Sequence, residues 1–139
     1  MKREIKFKAK RLDNGEWCEG YFYEENGNTY IIENRQKESM LNRNITYEVD
    51  HSTVCMYTGL KDCNGNEVWE GDIVKSPYFG KLAIVKWDDS LCGFKCVGDT
   101  GNIYYSLRAI VESSGWFVIG NKFDKEKSRM KSVFSMFAY

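Results

Sequence analysis

The sequence predicts a small, mostly β domain, and three observations carry that reading. Glycine-centred turn signals recur between β-prone runs, and residues 5–10 alternate apolar and basic side chains without a break. Aromatic residues make up 15% of the 139 positions, and glycine occurs 12 times against a single proline, Pro77. Aromatic and β-branched side chains pack well on a pleated surface, and many glycines with few prolines suit tight hairpins. A chain of this length buries a sizeable core without disulfide or metal staples.

The elements follow in order. In EIKFKAK, Ile5, Phe7 and Ala9 project to one face of a strand and Lys6, Lys8 and Lys10 to the other. The lysine face reads as wet, and charge of this kind suits an edge strand, where it discourages stray pairing. Asp13-Asn14-Gly15 turns the chain into EWCEGYFYE, and Asn26-Gly27-Asn28 turns it into TYIIE. Asn64-Gly65 reads as a two-residue hairpin turn between YTGLKD and EVWEG, and Asp99-Thr100-Gly101-Asn102 separates GFKCVG from IYYSL. Such pairs supply the positive φ that hairpin turns demand. Asp72-Ile73-Val74 and the run Leu82 to Trp87 read as further strands. Trp116 to Ile119 reads as a buried strand, because a continuous apolar run has no wet face. The polar, aperiodic stretch Glu33 to Asn44 reads as a loop.

The tail breaks the pattern. Met130, Val133, Phe134 and Phe137 fall at i, i+3, i+4 and i+7, one stripe of a short C-terminal α-helix. Asp124 is placed to cap its start. A helix this short is stable only when its stripe is buried, against the chain's own β core, against a second subunit or, with its basic polar face, on a membrane surface.

Charge and cysteines bound the function. Lysine plus arginine equals aspartate plus glutamate at 20 each, so the net charge is zero, and a dedicated nucleic-acid binder is usually more basic. Six basic residues against Glu4 occupy positions 1–11, and five against Asp124 and Glu126 occupy 122–139. These basic ends on an acidic middle complement one another within a subunit or between subunits. The five cysteines, at 18, 55, 63, 92 and 96, are an odd count behind an N-terminus with no apolar signal-peptide core, which points to free thiols in the cytoplasm. No apolar run approaches the roughly 20 residues that span a bilayer, so no membrane is expected.

Chemistry-bearing sets are thin, and no catalytic, cofactor-binding or metal residue is assigned. His51 is the single histidine, four residues from Cys55, and no G-x-S-x-G surrounds any serine. It reads as a turn residue. Cys92 and Cys96 fall on one face of a strand, where straight geometry holds them roughly 13 Å apart, too far for one ion. Glu67, Glu70 and Asp72, with Asp88 and Asp89, read as solvated or turn-capping carboxylates. Tyr21, Phe22, Tyr23, Tyr104 and Tyr105 offer aromatics to a nucleic acid, but the basic residues lie at the chain ends.

Residues 57–75, YTGLKDCNGNEVWEGDIVK, closely resemble the signature of the YopX-like family of phage and prophage proteins. The opening REIKFKAKRLDNGEWCEGYF and the late Trp116-Phe117-Val118-Ile119-Gly120-Asn121 resemble that family's first and closing strands. The basic, aromatic tail departs from the family's short acidic ending. The resemblance implies a single domain over 1–139 with three parts. These are an N-terminal β subregion at 1–55, a small, partly open SH3-like barrel at about 56–121, and the helical tail at 122–139. The family-motif positions Tyr57, Thr58, Gly59, Leu60, Asp62, Gly65, Glu70, Gly71, Asp72 and Ile73 are expected to shape the chain. Any interaction surface is expected elsewhere, at Lys6, Lys8 and Lys10 and on the tail stripe. The resemblance also implies a homo-oligomer without enzyme activity in a bacterial host. Its partner would be a phage or host protein, with nucleic acid as the alternative.

Overall fold

The computed structural model describes residues 4–33, 45–78, 80–98 and 104–124. The expected loop at 34–44, the turn at Asp99 to Asn102 and the tail stripe lie outside the described residues. The chain divides into two compact units, Met1–Tyr57 and Thr58–Tyr139. All β pairing is antiparallel, and neither sheet closes into a barrel among the described residues.

The first unit contains β1 (Phe7–Lys10), β2 (Trp17–Glu25), β3 (Asn28–Glu33), β4 (Ile45–Val49) and the start of β5 (Cys55–Lys61), hydrogen-bonded in the order β4-β3-β2-β1-β5. The turn expected at Asn26-Gly27-Asn28 is present, and it is a two-residue hairpin loop. Glu25 faces Asn28, and Asn26 and Gly27 both take positive φ, at 53° and 81°. β2 pairs with β1 up to Gly20 and with β3 from Tyr21 onward, so it changes partner in mid-strand. The sheet coils there until the end of β4 returns to the end of β1. Arg11 bridges Val49, and the Asp50 amide donates to the Lys10 carbonyl at 2.9 Å. Ala9, Cys18, Ile31 and Val49 fill the inside of the coil, packed with Phe7, Tyr47 and Val54.

The placement of β1 corrects the sequence expectation. It is an interior strand, flanked by β2 and β5, rather than an edge. Its lysines are half-buried, and their ammonium groups stand over neighbouring aromatic rings.

In the second unit, the latter half of β5 runs beside β6 (Glu67–Trp69). The remaining strands, β7 (Asp72–Lys75), β8 (Leu82–Asp88), β9 (Gly93–Gly98), β10 (Tyr104–Ser106) and β11 (Phe117–Asn121), are ordered β10-β9-β8-β7-β11. One core gathers Val68, Val74, Ala83, Val85, Cys96, Leu107, Ile110, Val111 and Trp116. A smaller cluster of Ile73, Ile84 and Val97 uses the alternate positions of the same strands. Both faces of the sheet centre are therefore apolar, which is why Ala83, Ile84 and Val85 are all fully buried.

One sequence expectation changes here, and one element is new. Among the described residues β11 is an edge strand with Phe117 to Gly120 half-buried; Trp116, just before it, is buried in the core, and Val118 and Ile119 pack against the two clusters from outside. An apolar run signals a buried strand only when both faces are covered, and β11 has one neighbouring strand among the described residues. Residues Ala109–Ser113 form a single π-helical turn that places Ile110 and Val111 over the core. The spacing of Leu107, Ile110 and Val111 at i, i+3 and i+4 carried that signal.

A candidate interaction cleft

The motif hairpin is built on Asp62. Its carboxylate accepts the amides of Asn64 (3.0 Å) and Asn66 (2.8 Å) through Oδ1, and the amide of Val118 (2.9 Å) through Oδ2. The Gly65 amide donates to the Asp62 carbonyl, the Asp62 amide donates to the Asn66 carbonyl, and Gly65 takes φ 83°. The loop is thus a three-residue turn ending in a left-handed glycine, rather than the two-residue turn expected. Asp62 also ties this loop to a strand 56 residues away. Burial alone raises a carboxyl's pKa, but the hydrogen bonds from Val118 and Asn66 outweigh it and hold Asp62 below its ordinary value.

A second carboxylate sets the next corner. Asp72 accepts the Trp69 amide at 2.8 Å and the Asn121 side-chain amide at 2.9 Å. Gly71 turns between them at φ 86°, with Asn121 Nδ2 only 3.3 Å from where a Cβ would stand. Val68 and Trp69 are both buried, so β6 is covered on two sides. Tyr57 is buried, Thr58 Oγ1 donates to the Val68 carbonyl at 2.6 Å, and Gly59 takes φ 88°. Leu60 and Ile73 enter the two cores, and the Glu70 carbonyl accepts from Asn121 Nδ2 at 3.3 Å.

This framework leaves a cleft of about 590 Å³. The motif loop contributes Cys63, whose Sγ donates to the Gly115 carbonyl at 3.7 Å. The turn after β7 contributes Pro77 and Tyr78, closed by the Ser76 amide donating to the Lys81 carbonyl at 2.8 Å. Trp116 lies across from them. Tyr78 is 83% exposed and forms a ledge at the rim. The lining offers a thiol, hydroxyls, one ammonium and aromatic carbon, with no carboxylate and no imidazole. A concave, mostly apolar surface with an aromatic ledge suits a partner's side chain.

The other residues singled out in the sequence lie elsewhere. In the first unit, Lys6 bridges Glu4 and Glu19 at 3.3 Å each and stands 5.0 Å over the Tyr57 ring. Lys8 and Lys10 each stand 4.6 Å over the Trp17 ring. His51 opens a short 3₁₀ turn, its Nδ1 facing Glu24 (2.9 Å) and Thr29 (3.1 Å), while the Cys55 thiol donates to the Thr53 carbonyl. Asp88 caps the β8–β9 hairpin by accepting from Ser90 and Leu91, and it pairs with Lys95 at 2.7 Å. The Lys95 hydrogen bond, then that of Ser90, hold its carboxyl well below the usual range. Cys92 sits in that turn at φ 49°, off the strand that carries Cys96, so the expected shared face does not exist. Among the described residues, no three histidine, cysteine or carboxylate side chains gather to hold a metal. No helix among them is long and apolar enough to cross a membrane.

The cysteines yield a direct prediction. Cys18, Cys55 and Cys96 are buried, and Cys63 and Cys92 are exposed. Burial pushes the Cys18 thiol to about 11 and the Cys96 thiol to about 12. The thiolate is the reacting form. A disulfide reagent at pH 8 is therefore expected to modify two thiols quickly and the other three only on unfolding. Three or more fast modifications of the native chain would contradict the burial pattern.

The family model described as YopX protein matches residues 6–127. The chain belongs to the YopX family. That span takes in both units and both carboxylate corners, so the motif residues around Asp62 and Asp72 are the frame of a YopX fold. The crystal structure of protein EF1440 from Enterococcus faecalis is similar at a TM-score of 0.52 and 18% identity. The match covers 95% of this chain and 99% of that one. The likeness is one of fold. No curated protein matches the chain.

Proposed function

We propose that this YopX chain is a phage- or prophage-derived accessory module of the bacterial cytoplasm that works by protein–protein contact, as a homo-oligomer, and catalyses no reaction. The cleft carries the reading. Its rim presents a tyrosine that is 83% exposed on the turn after β7, and its lining lacks an acid–base pair. Exposed aromatics on fixed supports are the usual anchors of protein interfaces. The motif carboxylates are spent on backbone amides, which supports a shaping role for the family signature. The strands around that signature are read as a small, partly open SH3-like barrel.

Lys6, Lys8 and Lys10 are left out of the contact, because their ammonium groups already meet aromatic rings or carboxylates. Nucleic acid is the weaker partner. The chain's net charge is zero, and a dedicated nucleic-acid binder is usually more basic.

Light scattering on the full chain tests the proposal. The expected mass is a multiple of the 16.2 kDa monomer, falling toward the monomer in Tyr78→Asp. A monomeric wild type at about 100 µM would sink the oligomer, since working interfaces of standard size hold well below that concentration.

A further inference from the structure

We propose that the cleft receives the tip of the β8–β9 hairpin, residues 89–92, from a second copy of this chain. The assignment rests on the reading of the cleft as the subunit contact, and it supplies that contact's second side.

The charge of the cleft decides between two ways of pairing copies. In the first, cleft meets cleft across a two-fold axis. Each lining carries one ammonium, Lys81, and no carboxylate. That arrangement gathers like charge with no counter-ion from either side, which disfavours it. The occupant is therefore a different surface, one that brings apolar carbon and a carboxylate together.

The hairpin tip has both. Asp89, Ser90, Leu91 and Cys92 are exposed in succession, and Leu91 is 68% exposed. Trp87, at the base of the tip, is 43% exposed, its ring edge-on to Phe94 at 5.2 Å. The chain closes the turn by itself. Asp88 accepts the Ser90 amide at 2.8 Å and the Leu91 amide at 3.2 Å, and the Cys92 amide donates to the Asp89 carbonyl at 3.3 Å. A tip already shaped before it binds loses little conformational freedom on binding. The two carboxylates differ in use. Asp88 is paired with Lys95, whereas Asp89 accepts the Trp87 indole N–H at 2.7 Å through Oδ1. Oδ2 of Asp89 is the oxygen for a partner's ammonium.

Tip and cleft stand at opposite ends of one strand. Lys81 and the cleft precede Leu82, where β8 begins, and the tip follows Asp88, where it ends. Six residue steps separate these ends, roughly 20 Å along a strand. The strand's own length thus keeps a tip out of its own cleft, and the contact joins two copies. Leu91 seats against Pro77 and Trp116, with Asp89 facing Lys81. Each copy gives one tip and one cleft, in a reciprocal dimer or in a ring.

Light scattering on full chains at about 100 µM tests the contact, with Leu91→Lys as the tip variant and Tyr78→Asp as the cleft variant. Each alone is expected at the 16.2 kDa monomer mass. Mixed in equal amounts, they are expected to form a particle of twice that mass and no larger, because the mixture holds one intact tip and one intact cleft. Leu91 is exposed, so the lysine variant is expected to keep the wild-type urea midpoint. Leu91→Ser, which adds no charge, is expected to give an intermediate mass and so reads the same contact independently. Leu91→Lys and Leu91→Ser at the wild-type mass would overturn the tip and leave the cleft reading standing. Tyr78→Asp at the wild-type mass would remove the cleft reading and this proposal with it. Two monomeric variants that stay monomeric when mixed would also overturn the proposal, because tip and cleft would then not be partners.

Discussion

Gly20→Ala is expected to cost about 3 kcal/mol or more, beyond the usual range for one added methyl group. The reason is steric. Gly20 is where β2 leaves β1 for β3, and the Ile32 carbonyl group occupies the space a side chain would need. A Cβ there would overlap the carbonyl oxygen and stand 2.7 Å from the carbonyl carbon. These are backbone atoms of a paired strand, so they cannot swing aside as a side-chain end can. Relief requires β3 to move away from β2, which opens the coil around Ala9, Cys18 and Ile31.

Gly15→Ala is the control. Gly15 takes φ 73° with nothing within 4 Å of its added Cβ, so its cost is conformational only, about 1–2 kcal/mol. Thermal melts of the two variants decide the matter. The Gly20 variant is expected to lose more than about 10 °C, and the Gly15 variant roughly half that or less. Equal losses would mean that the corner at Gly20 is looser than the structure describes.

Asp62→Ala is expected to cost about 2–4 kcal/mol, since it removes the acceptor from three backbone amides at once and leaves a cavity in a site that is 6% exposed. Asp62→Asn is expected to fall between. Its oxygen can still serve Asn64 and Asn66, but its NH₂ group then faces the Val118 amide, donor against donor. Because the same carboxylate ties the motif loop to β11, the alanine change also frees Cys63 from Gly115 and loosens the cleft. Partial loss of the oligomer is expected to accompany the loss of stability.

The pH dependence has a definite sign. The folded-state pKa of Asp62 lies below its ordinary value. Its contribution is therefore complete above the unfolded carboxylate pKa, about 3.9, and drains away as pH falls below it. Urea midpoints of wild type and Asp62→Ala are expected to differ most at pH 5–7 and to converge toward pH 3. A gap that stayed constant to pH 3 would show that Asp62 is not held as an ionised acceptor.

How much of this was legible depends on whether a feature is local. The Asn26-Gly27 turn was readable because positive φ at two adjacent positions is a property of those two residues. Of the expected inward set Ile5, Phe7 and Ala9, the last two were readable because alternation is a property of one strand, and Ile5 is exposed because it precedes that strand. The interior position of β1 was not, since it depends on which strands arrive on its two sides, and one of them is β5, about 50 residues later. The lysines misled for the same reason. Their charge matches an edge, but Tyr57 and Trp17 supply rings for their ammonium groups only after folding. Trp116 to Ile119 looked buried because its neighbours could not be counted from the chain. The turn at Asn64-Gly65 was placed correctly and sized wrongly, because Asp62 recruits one more residue into the loop through its carboxylate.

By itself, then, the sequence determined the class of structure, the hairpin positions and the YopX family, because dihedral preference, side-chain period and motif spacing all reside in short stretches of chain. Only the tertiary structure decided which described strands are edges, that Asp62 reaches Val118, that Gly20 has no room for a methyl group, and that Tyr78 stands exposed at the rim of the cleft. Those outcomes depend on distances between residues far apart in the chain, and packing sets such distances once the strands have paired.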